Sequence, residues 1–110
     1  QKHKTSYHAW GTLTVLETAH DFSVERRDIY PGSKSEIKTD GSTVKHLILI
    51  KGVGKSTMNN DSRFFHAGEA LVLSENQMVA VENTGDELLV VIGVKANCLS
   101  ADSSTAKSKG

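Results

Sequence analysis

The stretch that decides the fold reads VKHLILI at residues 44–50. β-Branched and leucine side chains dominate it, and turn signals bound it at Gly41-Ser42 and at Gly52. A strand presents alternate side chains to opposite faces of its sheet. Lys45 therefore shares one face with Leu47 and Leu49. The other face carries Val44, His46, Ile48 and Ile50.

Similar short apolar or alternating runs recur on both sides of this stretch. They occupy residues 11–17, 22–30, 70–73, 78–82 and 88–94, and turn-forming residues such as Pro31-Gly32 and Asn59-Asn60 separate them. No stretch shows sustained helical periodicity. Strands at such regular spacing predict an all-β antiparallel sandwich or barrel.

Length and composition exclude several classes of protein. A chain of 110 residues is long enough for one domain with a single core. Its single cysteine, Cys98, cannot form a disulfide within the chain and favours an intracellular origin. The formal net charge of zero gives no basic footprint for nucleic acid and no electrostatic reason for membrane binding. No apolar run approaches the about 20 residues of a spanning helix. We expect a cytoplasmic or assembly-associated domain that is not secreted.

The C-terminal residues differ from the rest. Residues 99–110 are rich in Ser, Ala and Lys and carry too little apolar surface to fold alone. We therefore divide the chain into a single domain at residues 1–98 and a tail at residues 99–110.

Several motifs resemble those of one protein family. Trp10-Gly11 precedes Val15-Leu16-Glu17, and Phe22, Val24 and Arg26 precede Pro31-Gly32. Near the other end the chain reads ENTGDELLV at residues 82–90. Over residues 7–95 the chain resembles the cupin domain of type II mannose-6-phosphate isomerases, which is also found at the C-terminus of bifunctional mannose-1-phosphate guanylyltransferases. The resemblance implies a cupin double-stranded β-helix, or jelly roll.

Catalytic members of that family hold a metal with His and Glu side chains, and the resemblance places other residues at those positions. The first motif runs from Gly32 to Gly52 and puts Lys38, Asp40 and Lys45 at its ligand positions. The second motif, from Gly68 to Asn83, has Asn76 at its glycine and Val79 at its histidine. One carboxylate beside two lysines cannot supply the three or more ligands that such a site uses. We therefore expect a domain without metal or other cofactor, and this speaks against isomerase activity.

Lys45 is the central candidate for a binding site. If its face lines the barrel, as the resemblance implies, its ammonium group must be paired or neutralised. One interpretation is a site for a phosphate or carboxylate, formed by Lys45 with Lys38 and Arg26. The alternative is structural: Lys45 pairs with Asp40, or extends its ammonium group to the mouth of the barrel.

The neighbouring candidates have simpler interpretations. Trp10 is expected to anchor the core or its rim rather than to stack on a sugar. Arg26 and Arg27 are consecutive in a strand and face opposite ways. Arg27 is expected to face solvent, which leaves Arg26 as the candidate for the pocket. The five histidines are scattered along the chain, which favours surface or turn positions over a metal site.

Three functional hypotheses follow. The first is a non-catalytic module that works by assembly into a homo-oligomer or a larger protein assembly, such as a structural or decorating subunit of a virus particle. An apolar outward face is unsuited to water, so this interface would use strand residues and the start of the tail. The residues expected there are Val44, His46, Ile48, Ile50 and Leu99. The second hypothesis is metal-independent binding or isomerisation of a sugar phosphate or nucleotide sugar. The third is a metalloisomerase whose ligands have moved.

Overall fold

The computed structural model describes residues 4–97, which form ten β-strands and no helix. The strands are β1 Lys4–His8, β2 Gly11–Thr18, β3 Phe22–Ile29, β4 Lys34–Lys38, β5 Thr43–Lys51, β6 Val53–Met58, β7 Asp61–His66, β8 Ala70–Leu73, β9 Met78–Asn83 and β10 Leu89–Asn97. The all-β prediction is confirmed. The tail at residues 99–110 lies outside the described residues. Within residues 4–97, no helix is long and apolar enough to cross a membrane.

The strands form two antiparallel sheets. The larger sheet has six strands in the order β1-β2-β3-β10-β5-β8, and the smaller has four in the order β4-β9-β6-β7. The core consists of buried apolar side chains from both sheets. The larger sheet contributes Ile29, Leu47, Leu49, Leu73, Leu89 and Val91, and the smaller contributes Ile37, Phe65, Val79 and Val81. Burial of these residues stabilises the fold because their apolar surface leaves water.

Strand β5 shows the alternation that its sequence predicts. Lys45, Leu47 and Leu49 are buried on the inner face, whereas His46 and Ile48 are exposed on the outer face. The inward position of Lys45 follows from this alternation.

Four strands are missing from the sequence prediction: β1, β4, β6 and β7. They are rich in polar residues, and their strand structure depends on pairing with neighbours. Strands β6 and β7, for example, form a hairpin in the smaller sheet. Asn59 and Asn60 connect them with φ angles of 53° and 66°. Positive φ at both central residues is the geometry of a type I′ turn, which matches the twist of a two-residue hairpin.

Steric constraints explain the glycine in the Trp10-Gly11 motif. Gly11 begins β2 and lies opposite Ile29 on β3. A Cβ atom at Gly11 would overlap the carbonyl oxygen of Asp28. Any larger residue would therefore force the two strands apart.

Asn83 ties both sheets together. Its side-chain amide donates hydrogen bonds to the carbonyl oxygens of Ile29 and Glu87 at 2.8 and 2.7 Å. Its side-chain oxygen accepts a hydrogen bond from the N–H of Gly85 at 2.9 Å. The bond to Ile29 is buried and the other two are partly buried, so removal of the amide would leave the Ile29 carbonyl without a partner away from water. Asn83 thus fixes the end of β3 against the loop that follows β9.

We predict that Asn83→Ala lowers the free energy of unfolding by on the order of 3 kcal/mol, because it leaves two carbonyls and one N–H without their partner. Chemical denaturation measures this loss. Thr84→Ala is the matched control, since Thr84 is adjacent and exposed. Equal losses in the two variants would contradict the structural role of Asn83.

Candidate functional site

Three ionisable side chains lie together on the inner face of the six-stranded sheet. Glu25 and Arg27 project from β3, and Lys45 projects from β5. Their side chains are 15%, 9% and 11% exposed, respectively. We call Glu25, Arg27 and Lys45 the ionic triad. It is a charged cluster on a face that is otherwise largely apolar.

The Glu25 carboxylate holds the triad together. Its Oε2 atom accepts a hydrogen bond from Arg27 Nη1 at 3.0 Å and lies 3.3 Å from Lys45 Nζ. One carboxylate oxygen therefore faces two cations. Lys45 is paired, as a buried ammonium group requires, but its partner is Glu25 and not Asp40.

A glycine makes this contact possible. Strand β10 lies between β3 and β5, and its Gly93 stands beside Glu25 on one side and Leu47 on the other. A Cβ atom at Gly93 would lie 3.1 Å from Leu47 Cδ2 and 3.6 Å from Glu25 Cγ. Because Gly93 has no side chain, Glu25 can extend across β10 to reach Lys45.

The charges of the triad shift the pKa values of Glu25 and Lys45. Burial alone would raise the pKa of Glu25, but the positive charges and hydrogen bonds of Arg27 and Lys45 hold that pKa below its ordinary value. Burial lowers the pKa of Lys45, and repulsion from Arg27 and Lys95 adds to this effect, while Glu25 opposes it. Two cations face one carboxylate, so the triad carries an excess of one positive charge.

Arg27 also lies near Trp10, and its Nε–H group makes no hydrogen bond within residues 4–97. Its guanidinium carbon lies 5.9 Å from the centroid of the Trp10 ring, which in turn stacks on His8 at 4.7 Å. Trp10 packs against the core, as the sequence predicts. The Nε atom of Arg27 is buried and makes no hydrogen bond to any other part of residues 4–97. The triad therefore retains one donor that an oxygen atom could satisfy.

An open cavity of about 370 Å³ lies next to the triad. Glu25 and Lys95 line it, together with Val15, the turn residue His20 and Phe22 at the start of β3. Of the three triad residues, Glu25 lines this cavity and Arg27 and Lys45 do not.

The structure separates the residues that the sequence groups as a binding site. Lys38 is exposed at the end of β4, on the outer face of the four-stranded sheet. Asp40 lies in the turn before β5, where its Oδ1 accepts hydrogen bonds from the Ser42 N–H at 2.9 Å and the Thr43 hydroxyl at 3.0 Å. These bonds, the first from the Ser42 backbone, hold the pKa of Asp40 below its ordinary value. Of the residues predicted to bind a ligand, only Lys45 belongs to the triad.

The expected orientation of the two arginines is wrong. Arg27 is buried on the inner face, whereas Arg26 points outward and forms an ion pair with Asp28 at 2.7 Å. Strand β3 has apolar residues on both faces, with Val24 on one and Ile29 on the other, so its alternation does not indicate which face is inside. Glu25 was not predicted for the same reason.

The residues expected at an assembly interface lie where the sequence places them on β5. Their shared face is the outer face of the six-stranded sheet, where Ile48 and Ile50 are 37% and 53% exposed. Leu99, the remaining residue of that prediction, lies outside the described residues.

We predict that the triad is energetically coupled. Glu25→Gln removes the negative charge and leaves two buried cations facing each other, so it should cost about 3 kcal/mol of unfolding free energy. Lys45→Met alone should cost on the order of 1 kcal/mol, because Glu25 keeps Arg27. In the double variant Lys45→Met should relieve part of the Glu25→Gln loss, with a coupling energy of about 1–3 kcal/mol.

Denaturation of the four proteins in this cycle measures the coupling. The matched control is Asp40→Asn combined with Lys45→Met, whose effects should add because the two residues form no ion pair. Additive effects of Glu25→Gln and Lys45→Met would contradict the triad.

Comparison with known proteins identifies the family. The family described as mannose-6-phosphate isomerase C-terminal matches residues 1–104. A mannose-1-phosphate guanylyltransferase from Escherichia coli is 27% identical over 77 residues, which cover 70% of this chain and 15% of the relative. Its counterpart from Klebsiella pneumoniae is 24% identical over 104 residues, which cover 87% of this chain and 20% of the relative. The chain thus spans a fifth or less of the length of these curated relatives.

Solved structures show the same architecture. A cupin 2 conserved barrel domain protein from Salinispora arenicola superposes with a TM-score of 0.74 at 18% identity, covering 94% of this chain and 90% of that protein. This likeness confirms the predicted cupin double-stranded β-helix. The family match over residues 1–104 agrees with this fold. The chain belongs to the mannose-6-phosphate isomerase C-terminal domain family.

Proposed function

We propose that the chain is a non-catalytic, metal-free cupin module that works by self-association through the outer face of its six-stranded sheet. The observation that carries the proposal is the apolar character of that face across four adjacent strands. We define the outer apolar face by Val24, Val44, His46, Ile48, Ile50, Val72, Ile92 and Val94.

These side chains form one continuous surface. Ile92 on β10 pairs with Ile48 on β5, and Val94 pairs with both His46 and Val24. On β8, Val72 pairs with His46 and is 52% exposed. Side chains paired across neighbouring strands are close enough to contact one another. The surface is therefore wider than the single strand that the sequence indicated, and exposed apolar surfaces of this kind favour protein contacts.

The occupant that fits this surface is a second copy of the chain. Of the eight residues that define the outer apolar face, only His46 can carry a charge. At its edge, Arg26 and Asp28 neutralise each other through their 2.7 Å ion pair. A twofold axis places the same surface against itself, and two such faces can meet without repulsion between like charges. A subunit of a larger particle, such as a virus particle, would use the same face.

The donor set of the inner face supports the metal-free part of the proposal. A divalent cation such as zinc or manganese needs converging imidazole or carboxylate ligands. Glu25 instead stands between two cations, and Lys45 and Val79 occupy positions where the family resemblance expects ligands. Within residues 4–97, no group of three or more His, Cys, Asp and Glu side chains is placed to hold a metal ion. These residues do not fit the metal of catalytic members.

We predict that Ile48→Glu weakens self-association by more than about tenfold, because it places a charge in the centre of an apolar contact. Analytical ultracentrifugation of the full chain over a range of micromolar concentrations measures the dissociation constant. Phe64→Glu is the control, since Phe64 is 77% exposed but lies on the other sheet. A wild-type chain that stays monomeric throughout, or equal effects of both variants, would overturn the proposal.

The ionic triad favours a second candidate function, the metal-independent binding of a sugar phosphate or nucleotide sugar. Its excess positive charge and the unpaired Arg27 Nε atom are suited to an anionic oxygen. The adjoining cavity of about 370 Å³ borders the triad at Glu25, and the ammonium group of Lys95 adds a further positive charge to its lining. This candidate does not exclude self-association, because the cavity and the outer apolar face lie on different sides of the sheet.

We predict for this second function that mannose 6-phosphate binds in the presence of a chelator, and that Lys45→Met weakens binding by about tenfold through the loss of one charge-assisted contact. Isothermal titration calorimetry measures both affinities. Lys34→Met is the control, because Lys34 is exposed at the start of β4. Undetectable binding by the wild-type chain, or the same affinity in both variants, would remove this candidate.

A further inference from the structure

An open cleft of about 710 Å³ lies over the outer face of the four-stranded sheet. Two loops border it: the Asn59-Asn60 turn between β6 and β7, and the Asn76-Gln77 turn before β9. Met78 lies between them at the start of β9 and is 42% exposed. The volume is within the range of about 300–1,000 Å³ that is usual for small-molecule sites. This cleft is separate from both the ionic triad and the outer apolar face.

The three asparagines of the cleft share an unusual backbone conformation. Asn59, Asn60 and Asn76 have φ angles of 53°, 66° and 57°, and they are the non-glycine residues with positive φ in the described part of the chain. Glycine adopts this conformation most easily, and the family resemblance places a glycine at position 76. The backbone could therefore be built with glycine at these positions. Asparagine tolerates the same conformation, and unlike glycine it places an exposed amide side chain at each of the three positions.

These amides are available to a ligand. Within residues 4–97, the side chains of Asn59, Asn60 and Asn76 form no hydrogen bond to one another or to another residue. Each amide offers two N–H donors and one carbonyl acceptor. Hydroxyl groups donate and accept hydrogen bonds in the same way, so a ligand with several adjacent hydroxyls is complementary to this border.

One wall of the cleft is fixed before any ligand binds. The N–H of Asn76 donates to the carbonyl oxygen of Asp40 at 3.0 Å, and the N–H of Gln77 donates to the Thr39 hydroxyl at 3.0 Å. The side-chain oxygen of Gln77 accepts a hydrogen bond from the N–H of Ser74 at 2.8 Å. A wall that is already ordered loses less conformational entropy on binding.

The charge of the cleft and the apolar residues at its base indicate which class of ligand it can bind. Among residues 4–97, Lys38 is the only charged residue that lines it, which gives no cluster of cations for a phosphate group. Met78 and Ala80 supply an apolar floor on which the C–H face of a sugar ring can pack. We propose that the cleft is a binding site for a neutral saccharide, held by the amides of Asn59, Asn60 and Asn76.

Nuclear magnetic resonance tests this proposal on the full, isotope-labelled chain. The probes are the methyl glycosides of glucose, galactose and mannose at millimolar concentrations, with glucuronic acid as the anionic comparison. The expected result is a saturable shift of the side-chain NH₂ signals of the three asparagines with at least one neutral glycoside.

Glycine variants distinguish the contribution of the amide side chains to binding from that of the turn backbone. In the triple variant Asn59→Gly, Asn60→Gly and Asn76→Gly, the turns keep a residue suited to positive φ, and the affinity read from backbone shifts of β9 should fall by about tenfold or more. Lys55→Met, on the same outer face but outside the cleft, should leave affinity unchanged. Unchanged binding by the glycine variant would overturn the proposal, as would the lack of a saturable shift with every neutral probe. Shifts that occur only with glucuronic acid and disappear in Lys38→Met would assign the cleft to an anion instead.

Discussion

The structure depends on the neutralisation of charge inside its β-sandwich. Arg27 and Lys45 project into the space between the sheets, and the Glu25 carboxylate faces both of them. A buried cation without a partner costs several kcal/mol, so the packing around Glu25 must hold it in position. Gly93 belongs to this constraint, because its missing side chain allows Glu25 to cross the intervening strand. The triad also occupies the inner face with cations, which is the opposite of what a divalent metal requires.

Much of the fold could be predicted from local patterns. The alternation of residues 44–50 placed Lys45 on one face with Leu47 and Leu49 and His46 on the other, and the family resemblance indicated that the Lys45 face is the inner one. Strands β6 and β7 were missed because their residues are largely polar and only the pairing with neighbours makes them strands.

The site was harder to predict than the fold. Glu25 and Lys45 are twenty positions apart in the sequence and lie on strands that do not pair with each other. Their contact depends on the register of β10 with two strands, which no local pattern determines. The predicted orientations of Arg26 and Arg27 were the reverse of those in the structure, because β3 has apolar residues on both faces. Lys38 and Asp40 share a motif with Lys45, but Lys38 lies on the outer face of β4 and Asp40 bonds within the turn before β5.

The position of β10 has a consequence for how the protein folds as it is synthesised. Strands β1, β2 and β3 form one part of the larger sheet, β5 and β8 form another, and β10 is the strand that joins them. It is also the last of the described strands in the sequence. The two parts therefore cannot be connected until most of the chain has left the ribosome, and until then β3 and β5 each expose an unpaired edge. Such edges can pair with other chains until β10 covers them. Contacts between residues far apart in sequence also make the final step slow relative to hairpin formation.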